Sequence, residues 1–343
     1  APALGADEAP CGARPMSALV PRAFAPPAVV IAVPTYRRPD DLRRLLRSLV
    51  PVSAHARAQG VASRVDVLVV DNDVNGSGLA VLAEPVEWVS GVHEVSPGVA
   101  AARNRSLDES GGYDVLVFID DDESPASPDW LTRLLETARD AGAHVVAGPV
   151  ATVVDGGLDP WIEAGGFFAR GHRAHLPTGA VIERAATNNL LLDLAFVRAS
   201  GIRFDERFGR TGGEDSLFTS QLHRAGARMV WCAEALVHDH LPEARRSRAH
   251  ALARIRGMAA AGVRVGLVMA PTRGRRIAIR ARASLGGAAR IGAGAARAAT
   301  GAIVRSKRLN AVGRRDIMRG VGALEGVAGH LRIHYGDRLR GAP

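Results

Sequence analysis

The chain has 343 residues, 47% of them hydrophobic and 23% charged, which is enough to bury the core of one large domain or two ordinary ones and excludes a globally disordered protein. Two cysteines, Cys11 and Cys232, exclude a disulfide scaffold and a cysteine-built zinc site and predict a reducing compartment. The formal net charge of +9 hides a division: residues 241–343 hold 22 Lys/Arg against 4 Asp/Glu, and the preceding residues are net acidic. A basic tail of this kind attracts polyanions, whether nucleic acid, anionic lipid or phosphorylated substrate. No apolar run is long enough to cross a bilayer, and the first residues do not read as a secretory signal, which predicts a cytoplasmic protein.

Residues 1–27 are rich in Ala and Pro and predict a flexible arm. Val29–Val33 reads as a buried strand, and Pro39 opens a helix with Leu42, Leu45, Leu46 and Leu49 at helical spacing. A second strand is expected at Val65–Val70, a short one near Val86–Val89, and a helix from Ser96-Pro97 to about Ser110. The strand Asp114–Ile119 ends in Asp120-Asp121-Asp122; Ser127-Pro128-Asp129 starts another helix, and Val145–Val150 is a further strand. Residues 155–186 read as loop, Asn188–Leu192 as a strand, Glu214–Ala225 as a helix stopped by Gly226, and Met229–Trp231 and Ala235–Val237 as strands. From about 242 the chain is helical, basic and rich in Ala and Gly. Strands of buried type alternating with helices predict an α/β, doubly wound, mostly parallel sheet. Ligands bind such sheets at the carboxyl ends of the strands, where Thr35-Tyr36-Arg37, Asp71-Asn72-Asp73 and Asp120-Asp121-Asp122 are expected to meet.

Three successive carboxylates repel one another unless something pairs with them. A divalent cation would do so, and on an extended chain Asp120 and Asp122 share a face while Asp121 points away. The competing reading is a solvated acidic turn that caps the next helix. Gly212-Gly213-Glu214-Asp215 sets two acids at a helix start, where they either complement the helix dipole or supply a general base. The turn Pro34–Pro39, with Thr35, Tyr36 and Arg37, could hold a phosphate or a base edge; Asp71 could hold a ribose or base; Arg103 stands on a helix among alanines. His238 and His240 follow a strand and could complete a metal shell. No GxxxxGK[ST] loop is present, and no GxGxxG follows the first strand, so a P-loop enzyme or a dehydrogenase is not expected.

In order, Val-Pro-Thr-Tyr-Arg-Arg-Pro (33–39), Val-Val-Asp-Asn (69–72), Pro-Gly-Val-Ala-Ala-Ala-Arg-Asn (97–104), Phe-Ile-Asp-Asp-Asp-Glu (118–123) and Gly-Glu-Asp-Ser-Leu-Phe (213–218) resemble the inverting glycosyltransferases of family 2, which have the GT-A fold. The resemblance spans about residues 28–240 and implies a donor half (about 28–150) and an acceptor and catalytic half (about 151–240), followed by the basic helical region 241–343. It implies that Pro34, Thr35, Tyr36, Arg37 and Asp71 hold the nucleotide of a nucleotide-sugar donor, with Arg103 and Asp121 nearby. Asp120 and Asp122 would coordinate Mn2+ or Mg2+ on the diphosphate, and His238 fits the place of a third ligand, with Asp239 and His240 open. Asp215 would deprotonate the acceptor hydroxyl, with Glu214 the alternative base. The expected acceptor is a glycan or lipid-linked sugar in cell-envelope or exopolysaccharide synthesis.

The tail places Arg276, Arg280, Arg290 and Arg297 near one helical face and Ile277 and Ile291 near another, which predicts either attachment to the anionic inner membrane surface or a solvated basic extension. Two other functions compete. A sugar-nucleotide nucleotidyltransferase would need a glycine-rich basic loop that Pro34–Pro39 lacks, and a nucleic-acid-binding protein would need aromatics that the tail, with only Tyr335, does not supply.

Overall fold

The computed structural model describes residues 25–329 apart from Pro85 and Arg210, and for His172 the backbone alone. The expected N-terminal arm therefore falls almost wholly outside the described residues, as do Cys11 and Tyr335. The elements run β1 (Ala28–Thr35), α1 (Pro39–Ala58), β2 (Arg64–Asp71), β3 (Val89–His93), α2 (Val99–Glu109), β4 (Val115–Ile119), β5 (Glu123–Pro125), α3 (Trp130–Ala141), β6 (Val145–Ala147), β7 (Val150–Val153), α4 (Pro160–Gly165), β8 (Asn189–Asp193), α5 (Leu194–Ser200), α6 (Glu214–Arg224), β9 (Met229–Trp231), β10 (Val237–His240), α7 (Arg248–Met269), α8 (Arg273–Ile303) and α9 (Lys307–Ala328).

Seven strands form one sheet in the order β3-β2-β1-β4-β8-β6-β9. All neighbours pair in parallel except β8, which is antiparallel to both β4 and β6. The apolar runs follow from burial of both sheet faces. Along β1, Val29, Ile31 and Val33 meet Leu42, Leu45 and Leu49 of α1 and Trp130 of α3, while Val30 and Ala32 join Ala100 and Ala102 of α2, Phe204 and Phe218 on the other face. The mostly parallel sheet is thus doubly wound, and strands β1, β2 and β4 bring their C-terminal ends to one rim.

Several boundaries differ from expectation. The segment Val145–Val150 is two strands, because the chain turns at Gly148-Pro149 to leave the main sheet. A Cβ on Gly148 would lie 2.4 Å from the carbonyl oxygen of Ala235, so this close approach requires glycine. β7 instead joins β5 and β10 in a three-stranded sheet, in the order β5-β10-β7. Helix α2 begins at Val99, two residues beyond Pro97, since Gly98 enters it with φ +116°. The segment 155–186 contains the short helix α4, capped by the Asp159 carboxylate accepting from the Trp161 amide. After β10 the helices α7, α8 and α9 form the C-terminal unit. Gly287, Gly294 and Gly301 of α8 lie directly on the backbone of α9; a Cβ on Gly294 would stand 2.7 Å from the Gly313 carbonyl oxygen. Among the described residues no helix is long and apolar enough to cross a membrane.

Candidate active site

The turn after β1 sorts its side chains between two strand ends. Arg37 adopts φ +56°, a conformation that costs a non-glycine residue about 1 kcal/mol or more. Its Nε donates to Asp73 Oδ1 at 2.9 Å, beyond β2, and its guanidinium lies 5.0 Å from the ring centre of the exposed Tyr36. Arg38 turns the other way, and one nitrogen, Nη1, donates to Asp121 (2.8 Å) and Asp122 (2.7 Å). Thr35 Oγ1 also donates to Asp121 Oδ2 at 2.8 Å, while Pro34 remains within β1 opposite Val70.

The expected alternation of the aspartates does not hold. Asp121 and Asp122 lie in a turn closed by the Glu123 amide donating to the Asp120 carbonyl, so both carboxylates converge on Arg38. Asp120 goes elsewhere, its Oδ1 3.4 Å from Arg103 Nη2, with the side chain 37% exposed. Asp122 receives a second guanidinium, Arg245 Nη1 at 3.0 Å, from the segment that precedes α7.

Asp71 is fully buried, and its carboxylate accepts three backbone N–H groups, from Asp73 (2.9 Å), Gly78 (2.6 Å) and Leu79 (3.0 Å). It therefore shapes the 72–79 loop rather than presenting oxygens to a cleft. Asn72 works in the same way on the next loop: its side chain donates to the Glu94 and Ser96 carbonyls and accepts from the Gly98 amide. That loop aims α2, and α2 delivers Arg103. Arg103 is 5% exposed; Nη1 donates to Glu214 Oε1 at 2.6 Å, and the same guanidinium reaches Asp120. One arginine thus joins the end of β4 to the start of α6.

Helix α6 is entered through Gly212 (φ +79°) and Gly213 (φ +96°), where glycine is required. Glu214 turns inward and is 5% exposed; burial, outweighing the attraction of Arg103, raises its pKa to about 7. Among the described residues its Oε2 has no hydrogen-bond partner. Asp215 turns outward, is half-buried, and accepts from the Ser216 amide at 2.5 Å. Of the two candidate bases, Glu214 is committed to Arg103 and Asp215 is the more accessible.

Strand β10 separates its own candidates by alternation. Asp239 faces the acidic turn, where its charge acts on Asp122, and it is ion-paired to Arg170. His238 and His240 share the other side; His240 Nε2 lies 2.8 Å from Ser124 Oγ, and burial, reinforced by Arg44 of α1, lowers its pKa. The structure does not bring His238 to Asp120 and Asp122. Among the described residues, no three His, Cys, Asp or Glu side chains form a group that could hold a metal ion.

Carboxylates nevertheless outnumber cations here. Asp120, Asp121, Asp122, Glu123, Glu214 and Asp239 are met by only four guanidinium groups, those of Arg38, Arg103, Arg170 and Arg245. Burial accordingly raises the pKa of Asp121, of Asp122 to about 8, and of Glu123 well above the usual range. Hard oxygen donors suit Mg2+ or Mn2+, which commonly use one or two carboxylates and take their remaining ligands from phosphates and water. Asp120, 37% exposed, is the open carboxylate at this turn, and Asp122 would have to release part of its pairing with Arg38 and Arg245 to share an ion with it.

Arg38, Arg170, Glu123 and Arg245 were not singled out from the sequence. Arg38 lay inside the recognised Pro34–Pro39 run, but nothing local distinguished it from Arg37. Arg245 lies beyond the matched region, and no sequence signal pointed to it. Asn188 donates to Glu123 at 2.5 Å, and Asn189 accepts from Trp130 Nε1 at 3.0 Å, so both support the scaffold.

A doubly wound sheet whose acidic β4 turn stands one guanidinium away from the acidic start of a following helix defines a glycosyltransferase of the GT-A fold. The family described as glycosyl transferase family 2 matches residues 30–190. The succinoglycan biosynthesis protein ExoM of Rhizobium meliloti is 40% identical over 225 residues, covering 64% of this chain and 69% of that protein. The chain belongs to glycosyltransferase family 2. Its fold is shared with the mannosyltransferase PcManGT of Pyrobaculum calidifontis, solved in complex with GDP-Man and Mn2+: TM-score 0.58, 18% identity, and coverage of 89% of each chain.

Proposed function

We propose that this glycosyltransferase moves a sugar from a nucleoside-diphosphate donor to a hydroxyl of a lipid-linked exopolysaccharide precursor, with inversion at the anomeric carbon. The kinship with a succinoglycan biosynthesis protein supports the class of acceptor. The observation that carries the mechanism is the Asp120–Arg103–Glu214 connection, which holds the acidic turn and the start of α6 in one fixed relation.

In this reading the exposed Tyr36, stacked by Arg37, offers a face to the nucleobase, and the loop shaped by Asp71 lines the ribose. Asp120 and Asp122 would hold Mn2+ or Mg2+, which when bound would offset charge on the leaving diphosphate. Asp215 accepts the proton of the attacking hydroxyl as the new bond forms. A carboxylate is a weak base for an alcohol, so its position matters more than its basicity. Glu214 is a positioning residue, because its contact is with Arg103. Residues 28–240 form the catalytic unit, and the region after 240 contributes Arg245 to it.

The test is a thermal-shift screen of nucleoside diphosphates with and without Mn2+, followed by transfer of labelled sugar from the selected donor to lipid extracts. Metal-dependent stabilisation by one nucleotide, with labelled lipid of inverted anomeric configuration, is the expected result. Retained configuration, or stabilisation indifferent to metal, overturns the mechanism.

A further inference from the structure

Helix α8 has two opposite faces. Gly287, Gly294 and Gly301 are buried against α9, and Ile291, expected to be part of an exposed apolar face, packs against Gly320 there. Half a turn round the helix, at 100° per residue, Ala278, Leu285, Ala289, Ala296 and Ile303 form an uncharged exposed strip. Leu285 is 74% exposed and Ile303 82%, and they are the large apolar side chains on this strip. Arg275 and Arg282 border the strip, with Arg290 further round on the same side. Among the described residues no carboxylate forms a salt bridge with these three. The helix has seven arginines and no acidic residue over 31 positions, a length of about 45 Å.

We propose that this face of α8 lies in the headgroup layer of an anionic phospholipid bilayer, with Leu285 and Ile303 inserted and Arg275 and Arg282 on lipid phosphates. Charge decides the occupant. A second copy of the same face would set arginines against arginines, and α8 has no aromatic side chain on which a nucleic-acid base could stack. An uncharged strip bordered by arginines is the arrangement of a helix that lies on a membrane rather than crossing it. The inference stands apart from the choice of catalytic base. For a lipid-linked acceptor it has a consequence: enzyme and acceptor meet on one surface.

The test is co-sedimentation of the full chain with phosphatidylcholine vesicles, with and without phosphatidylglycerol. The expected result is binding only to the anionic vesicles and release by salt. Combined Arg275→Gln and Arg282→Gln should weaken binding roughly 25-fold, about fivefold for each arginine near the surface. Leu285→Ser with Ile303→Ser should also weaken it, and because these side chains are exposed, the circular dichroism should not change. Transfer to a soluble acceptor should be the same in all variants, which separates failure here from failure of the catalytic reading. Equal binding to neutral vesicles, unchanged binding by the arginine variant, tighter capture of duplex DNA than of anionic vesicles, or a dimer abolished by Leu285→Ser would each overturn the proposal.

Discussion

Replacing Arg103 with Met keeps much of the aliphatic stem but leaves Glu214 buried without its counter-charge. In the intact protein Glu214 has a pKa of about 7, against an ordinary value of 4.5. The folded state therefore binds the proton more tightly than the unfolded chain, and this contribution is fully present below about 4.5 and lost as the pH rises through 7. Without Arg103 the carboxyl stays protonated to higher pH. Above pH 7 the parent has released that proton and its stability levels off, whereas the variant still holds the proton in the folded state and goes on losing stability relative to its ionised unfolded chain. Each pH unit above 7 adds about 1.4 kcal/mol to the difference between the two proteins. Urea unfolding at pH 6 and pH 8.5 should show a constant cost from lost hydrogen bonds, plus an extra gap of about 2 kcal/mol at the higher pH. A gap of the same size at both pH values would refute the reasoning, because it would mean that Arg103 does not govern the charge of Glu214.

Asp215→Asn should leave nucleotide binding intact by thermal shift and lower the turnover number by about 10²–10⁴; normal turnover would remove Asp215 as the base. Asp122→Asn should abolish Mn2+-dependent stabilisation by the nucleotide, as measured by paired melts with and without metal. For the intact protein the Mn2+-induced rise in Tm should be larger at pH 8.5 than at pH 6.5. Protons held by Asp122, with its pKa near 8, compete with the ion at the lower pH. Gly294→Leu should destabilise the packing of α8 on α9 by about 1–3 kcal/mol, because its Cβ would meet the Gly313 carbonyl oxygen at 2.7 Å and the Ile317 amide at 2.9 Å. Calorimetry checks this, and an unchanged transition would contradict the packing.

Family, sheet and most element positions were legible in local signals: apolar runs for strands buried on both faces, leucines at helical spacing in α1, and turns rich in Asp and Gly at strand ends. Those signals depend on neighbours in the chain, which is why Val29–Val33, Leu42–Leu49 and the Gly212-Gly213 entry to α6 could be read directly. The direction of each charged side chain could not. Strand alternation predicted Asp120 with Asp122, but the chain turns immediately after β4, and Arg38 gathers Asp121 with Asp122 instead. Asp71 looked like a ligand-binding group until its three amide partners appeared, two of them from residues seven and eight positions further on.

By itself the sequence determined the class of enzyme, because the motifs and their order are carried by short stretches of chain. Only the tertiary structure decided the pairing of the charges. It brings Arg245 from beyond the sheet to Asp122, sets Asp239 rather than His238 toward the acids, and joins residues 103 and 214 through a buried ion pair. Electrostatic energy depends on distance in space, and across a hundred residues of chain that distance exists only after folding.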